Sequence, residues 1–207
     1  MNRRGFVKTL VGLTTAAVVA PLDRASALLN CSPDRMDCIK QCEAGINSNV
    51  LNVTAAAVGG QHLDQWCWAA CIEMVFRYYG YVVPQERIVR ETWGDIVNQP
   101  AQPQQILYNL NRPWQDNNGR SFNVMGDVFS ANIVTAAHDL AANRPLIIGT
   151  MGHAMVLTSL VYYRNEFCQV GVTTAIVRDP WPGRGRRQLT PQEWYNVSFL
   201  ARIMVSG

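Results

Sequence analysis

Lysine is almost missing from this sequence: beyond Lys8, only Lys40 occurs in 207 residues. Charged residues of both signs make up 16% of the chain. Nucleic-acid binding needs clustered positive charge to displace counterions, and nothing here argues for such a partner. Paired C-x-x-C knuckles are also missing. Cys31, Cys38 and Cys42 run as C-x(6)-C-x(3)-C with no histidine nearby, a pattern unsuited to structural zinc. Neither a metal nor a cofactor is implied. Internal repeats and low-complexity tracts are absent too.

Long apolar runs are lacking as well. Thr9 to Ala20 is mildly apolar, but Gly12, Thr14 and Thr15 break it. It falls short of the roughly 20 apolar residues a membrane-spanning helix needs. The paired arginines before it, in Asn2-Arg3-Arg4-Gly5-Phe6-Val7-Lys8, resemble a twin-arginine export signal. Ala25-Ser26-Ala27 supplies a small-x-small cleavage pattern, so residues 1–27 read as a signal peptide and the mature chain as starting at Leu28. Leu28-Leu29-Asn30-Cys31 is a poor lipidation site because Asn30 is bulky. Removing residues 1–27 takes away four of 18 basic and one of 15 acidic residues, leaving 14 of each. The basic balance therefore belongs to the signal. The expectation is a periplasmic or secreted protein, with the export machinery as a transient partner and no membrane span after cleavage.

The remaining 180 residues suit one core. Residues 28–55 read as a cysteine-containing arm and residues 56–207 as the main domain. Ser32 to Ile46 is expected as a short polar helix, capped by Ser32 with Pro33 at its first position. In an oxidising compartment the cysteines of this arm favour a small disulfide clasp. Val50 to Val58, with its β-branched residues, reads as a strand or extended lead-in before Gly59-Gly60.

From Cys67, the apolar positions Ala70, Cys71, Met74, Val75 and Tyr78 recur at helical spacing until Gly80. Pro84 to Thr92, Pro103 to Leu110 and Ser130 to Asn143 read as further helices, with a Gln/Pro loop over 98–104. The second half changes period: Pro145 to Ile148, Ala154 to Tyr162, Gln169 to Arg178 and Ser198 to Met204 are strand-like. Thr190-Pro191-Gln192-Glu193 has the form of a capping box opening a short helix. Helices followed by an antiparallel sheet imply an α+β domain.

A thiol nucleophile needs a base, a group orienting that base, and donors for the oxyanion. Cys67 would open the long helix, where unpaired amides favour a thiolate. His153, one of three histidines, precedes a strand, and Asp179 closes one. Gln61 stands six residues before Cys67, near enough for its side-chain amide and the Cys67 N–H to converge on one oxygen. Gln65 is the alternative donor, but two residues from the cysteine it would point away.

The segments Gln61-x(5)-Cys67-Trp68-Ala69-Ala70, Gly152-His153-Ala154-Met155-Val156 and Asp179-Pro180-Trp181-Pro182 together resemble the papain-like cysteine peptidases. The likeness is to the compact bacterial branch that includes plant-pathogen effector proteases and lies near bacteriocin-processing, double-glycine peptidase domains. It spans about residues 56–207. The resemblance implies a helical half carrying the cysteine and a β half carrying the histidine, meeting at a cleft, with an aspartate where papain itself has asparagine. It also implies hydrolysis of a protein or peptide substrate through a thioester acyl-enzyme. Amidase, deamidase or transglutaminase chemistry on protein or peptidoglycan uses the same thiol, and a non-catalytic binding module is the rival from a different class. Other residues carry plainer expectations: His62 on the surface, His138 structural, Trp68 and Cys71 in wall or core, and Gly183-Arg184-Gly185-Arg186-Arg187 a solvated turn.

Overall fold

The helix that Cys67 opens, α2 (Cys67–Tyr78), has no solvated face along its first ten residues. Every side chain from Cys67 to Phe76 is buried, Glu73 included. The helical stripe foresaw one apolar face, whereas neighbours cover all of them. In this computed structural model, which describes residues 28–32, 40–165 and 169–207, α2 packs against helices α1 (Ser48–Val58) and α3 (Gln85–Trp93) and against a β-sheet. Phe76 meets Trp114 and Phe122 edge-on, with ring centroids 5.5 and 5.1 Å away. Buried Glu73 is neutralised within its own helix by Arg77 at 2.8 Å.

The remaining elements are strands β1 (Leu28–Cys31), β2 (Lys40–Gly45), β3 (Pro113–Gln115), β4 (Ser121–Asp127), β5 (Leu146–Thr150), β6 (His153–Arg164), β7 (Val170–Asp179), β8 (Gly185–Gln188) and β9 (Val197–Ser206), with helices α4 (Pro103–Asn109), α5 (Ile133–Ala141) and α6 (Pro191–Tyr195). Among the described residues the fold is α+β, six helices and a large antiparallel sheet, the class the resemblance implied. β6 is its spine. One edge of β6 pairs with β7, which pairs with β8; the other pairs with β5 near its start and with β2 near its end. From β5 the sheet runs on through β9 and β4 to β3.

Because β5 and β6 are covered on both faces, successive residues enter different cores. Ile147, Ala154 and Val156 face the α2 side, while Leu146, Ile148, Met155 and Leu157 face α5. Each large aliphatic side chain buried this way contributes about 1.5–3 kcal/mol. β5 and β6 are thereby fixed in register, and the residue that opens β6 is fixed with them.

Two expectations near the N-terminus fail. Val50 to Val58 lies within helix α1, not a strand: Asn47 caps it by accepting from Asn49 N at 3.1 Å, and Gly59 ends it at φ 74°. Leu51, Ala55 and Val58 face inward at spacings of four and three, a helical period that outweighs the β-branched composition. The expected helix over 32–46 is also not formed at its C-terminal end. Residues 40–45 are a strand whose Cys42 and Ala44 point into the sheet while Glu43 points out. This stretch belongs to the core instead of standing off as an arm. The clasp exists and joins Cys31 to Cys42 across β1 and β2. Cys38, Cys168 and residues 1–27, which hold the twin-arginine reading, lie outside the described residues. Among the described residues, no helix is long and apolar enough to cross a membrane.

Candidate active site

Cys67 is the first residue of α2, so its N–H lies ahead of the helix's internal hydrogen bonds. No side chain caps this end and no acidic residue lies in its first turn. The flanking tryptophans reach the same loop: Trp66 Nε1 donates to Val97 O at 2.8 Å and Trp68 Nε1 to Gln99 O at 3.2 Å. That aromatic grip explains why a thiol is bracketed by indoles. Trp66 is turned into the core, and the Gln/Pro loop becomes a wall of a cleft of about 200 Å³ lined by Cys67, Trp68, Ala101, Gln102, His153 and Phe199.

His153 reaches the opposite wall through a two-residue turn between β5 and β6. Met151 and Gly152 both adopt left-handed backbone, with φ of 51° and 77°, the geometry that matches the twist of a tight hairpin. The turn sets His153 at the first position of β6. Its Nε2 lies 2.7 Å from Asp179 Oδ1 on β7, and the backbone N–H of Ala154 points to Cys67 Sγ at 3.5 Å. Burial works against charge on the imidazole, but the hydrogen bond with Asp179 and the adjacent Cys67 sulfur outweigh it and raise His153 to about 9. Burial likewise pushes Asp179 upward, and bonds from His153, the Trp181 N–H and Arg187 overcome this and bring it to about 2. The structure thus brings Cys67, His153 and Asp179 into one row, with His153 bonded to Asp179 and next to the Cys67 sulfur. The half-exposed Trp181 ring stands edge-on to the imidazole at 6.4 Å.

Gln61 is buried just upstream of the row. Its Nε2 donates to Leu63 O at 3.0 Å and Asp64 O at 2.8 Å, and its N–H donates to Pro180 O at 2.7 Å. The side-chain amide nitrogen is therefore occupied by the loop leading into α2, while its buried Oε1 has no partner among the described residues. Gln65 is exposed, with its N–H on Asn98 Oδ1 at 3.0 Å. His62 pairs with Glu86 on the surface. His138 departs from expectation: buried Ala136, Ala137 and Leu140 face inward, and the imidazole faces solvent on the other side of α5. Cys71 is fully buried, and burial first, then the nearby Cys67 and Asp179, pushes its thiol well above the ordinary range.

Two contributors were not anticipated. Gln85 is wholly buried; its Nε2 donates to Gly60 O at 2.9 Å and its Oε1 accepts from His62 N at 3.1 Å, splinting the backbone on both sides of Gln61. Arg187 was expected in a solvated turn, but β8 is a strand whose side chains alternate. Arg186 faces out, and Arg187 faces in to donate from Nε to Asp179 Oδ2 at 2.8 Å. The register of β8 on β7, which sets Gly185 against Asp179 and Arg187 against Val177, places it. Among the described residues, no group of three His, Cys, Asp or Glu side chains is placed to hold a metal ion.

A comparison with family models matches residues 49–201 to the Peptidase_C39 like family. The chain belongs to that family. The match runs from α1 into β9 and so includes Cys67, His153 and Asp179. Membership of the Peptidase_C39 like family establishes the papain-like relationship and supports cysteine peptidase activity in general. No curated protein matches the chain.

Proposed function

We propose that this protein is an exported cysteine endopeptidase in which Cys67 is the nucleophile, His153 the proton carrier, Asp179 the orienting carboxylate and Gln61 an oxyanion donor. The observation that carries the reading is the position of His153, between Asp179 and the Cys67 sulfur on facing walls of one cleft. An imidazolium beside a sulfur favours thiolate over thiol.

In this scheme the Cys67 sulfur attacks the substrate carbonyl carbon, and the carbonyl oxygen takes up the negative charge. The Cys67 N–H and Gln61 meet that oxyanion; Gln61 must trade one of its two carbonyl contacts to do so. His153 passes its proton to the leaving amine as the C–N bond breaks, leaving a thioester. It then takes a proton from water, whose oxygen attacks the thioester carbon. Collapse breaks the C–S bond, releases the acid and returns the imidazolium–thiolate pair.

Export is supported by Arg3-Arg4 and the small-x-small pattern before Leu28, and a Cys31–Cys42 disulfide suits an oxidising compartment. Replacing both arginines by lysine should hold the precursor in the cytoplasm; unchanged export would overturn the twin-arginine assignment. For the activity, the test is turnover of parallel panels of peptides, glutamine side-chain amides and peptidoglycan fragments by wild type and Cys67→Ala. Peptide-bond cleavage lost in Cys67→Ala supports the endopeptidase. Turnover confined to the other panels would replace it with an amidase or deamidase, and cleavage by Cys67→Ala would end the reading.

A further inference from the structure

Arg187 has no part in the scheme above, yet it links two carboxylates behind the histidine. Asp179 uses one oxygen for His153 Nε2 and the Trp181 N–H, and gives the other to Arg187 Nε at 2.8 Å. Its other two nitrogens bond Glu193, Nη1 to Oε2 at 3.0 Å and Nη2 to Oε1 at 2.7 Å, with further contacts from Nη1 to Gln188 O at 3.3 Å and from Nη2 to Met155 Sδ at 3.1 Å. Glu193 is itself held: Oε2 accepts from Thr190 N at 2.8 Å, and its backbone carbonyl accepts from Thr150 Oγ1 at 2.6 Å, three residues before His153. One cation thus sits between the orienting carboxylate and a competing one.

We propose that Arg187 is a positioning residue that acts on His153 through the charge of Asp179, and that Glu193 sets how much of its positive charge Asp179 feels. The proposal rests on the Cys67–His153 pair of the preceding section. The charged groups around the imidazole are Cys67 from α2, Asp179 from β7, Arg187 from β8 with Glu193 of α6 behind it, and the exposed Arg184, 3.6 Å from Asp179. Their signs give opposed expectations. Removing the Arg187 charge leaves Asp179 uncompensated, so the imidazolium persists to higher pH. Removing the Glu193 charge leaves Arg187 uncompensated, so the imidazolium is lost at lower pH. A purely structural brace would loosen Asp179 in both variants and move both the same way.

The readout is the pH dependence of Cys67 alkylation by iodoacetamide, which needs no substrate, in the mature protein. The variants are Arg187→Gln, Arg187→Lys and Glu193→Gln; glutamine at 193 keeps the capping-box geometry with Thr190. The alkaline inflection should rise by roughly one pH unit in Arg187→Gln, fall by a smaller amount in Glu193→Gln, and stay near wild type in Arg187→Lys. If Arg187→Gln does not fold, the downward shift in Glu193→Gln decides. Inflections that stay put, or move the same way in both charge-removing variants, overturn the proposal while leaving the thiol–imidazole pair standing. A single ordinary thiol inflection in wild type would remove that pair and the proposal together.

Discussion

The backbone N–H of Gln61 donates to the carbonyl oxygen of Pro180 at 2.7 Å, tying the loop that leads into α2 to the residue after Asp179. The loop that presents Cys67 and the one that holds its histidine's partner are therefore one connected unit. Gly60 makes this approach possible. Its φ is 102°, and a Cβ there would lie 2.8 Å from that same Pro180 oxygen. Gly60→Ala should destabilise the fold by about 1–3 kcal/mol, and it should slow acylation of Cys67 beyond what the unfolded fraction explains. Urea unfolding beside single-turnover rates measures both; wild-type stability and rate would show that the two loops need no such contact.

The oxyanion assignment has its own test. Gln61→Ala should lower the acylation rate by about 10²–10³, because the charge it meets develops mainly in the transition state. Gln65→Ala should be near neutral, since that side chain is exposed. The reverse pattern would give the role to Gln65.

Stability should depend on pH through the same row of residues. His153 is raised from 6.5 to about 9 in the folded protein, so its contribution is fully present below about 6.5 and is lost as pH rises through about 9. Asp179 is lowered from 3.8 to about 2, so its contribution is present above 3.8 and is lost as pH falls through about 2. The urea midpoint should therefore fall between pH 6.5 and 9 in wild type and much less in Asp179→Asn. Equal slopes would mean that the carboxylate does not hold the imidazole's proton.

The disulfide should serve stability alone. It bridges positions 11 apart, worth about 2–3 kcal/mol in the chain-entropy account. Cys42 faces Tyr162 at the far end of β6, about 30 Å along the strand from His153 at about 3.3 Å per residue. Cys31→Ser with Cys42→Ser should lower the unfolding free energy by that amount and leave acylation within about twofold. A parallel loss of acylation would mean that the hairpin helps shape the cleft.

What the sequence made legible follows from how local each signal is. α2 could be read from one helical stripe and a terminal glycine, and β5 and β6 from short apolar runs, the first opening at Pro145. Cys67, His153 and Asp179 stood out because few residue types do this chemistry and each sat at an element boundary. Val50 to Val58 misled because its β-branched composition spoke louder than Asn47 and Gly59. β3 and β4 were missed because short strands with alternate polar residues look like loops. Arg187 and Gln85 were illegible for a different reason. The inward side of a strand is set by register with its neighbour, and Gln85 is buried only because the Gly60–His62 backbone lies over it.

The central claim is that Cys67 carries the acyl group and His153 enables the transfer. The most direct measurement is the intact mass of acid-quenched protein after brief exposure to an activated peptide ester, followed by peptide mapping and repeated in His153→Ala. The expected result is one acyl group per chain, mapped to Cys67, forming about 10²–10⁴ times more slowly in His153→Ala. An acyl group on Cys71, or an unchanged rate without His153, would contradict the account.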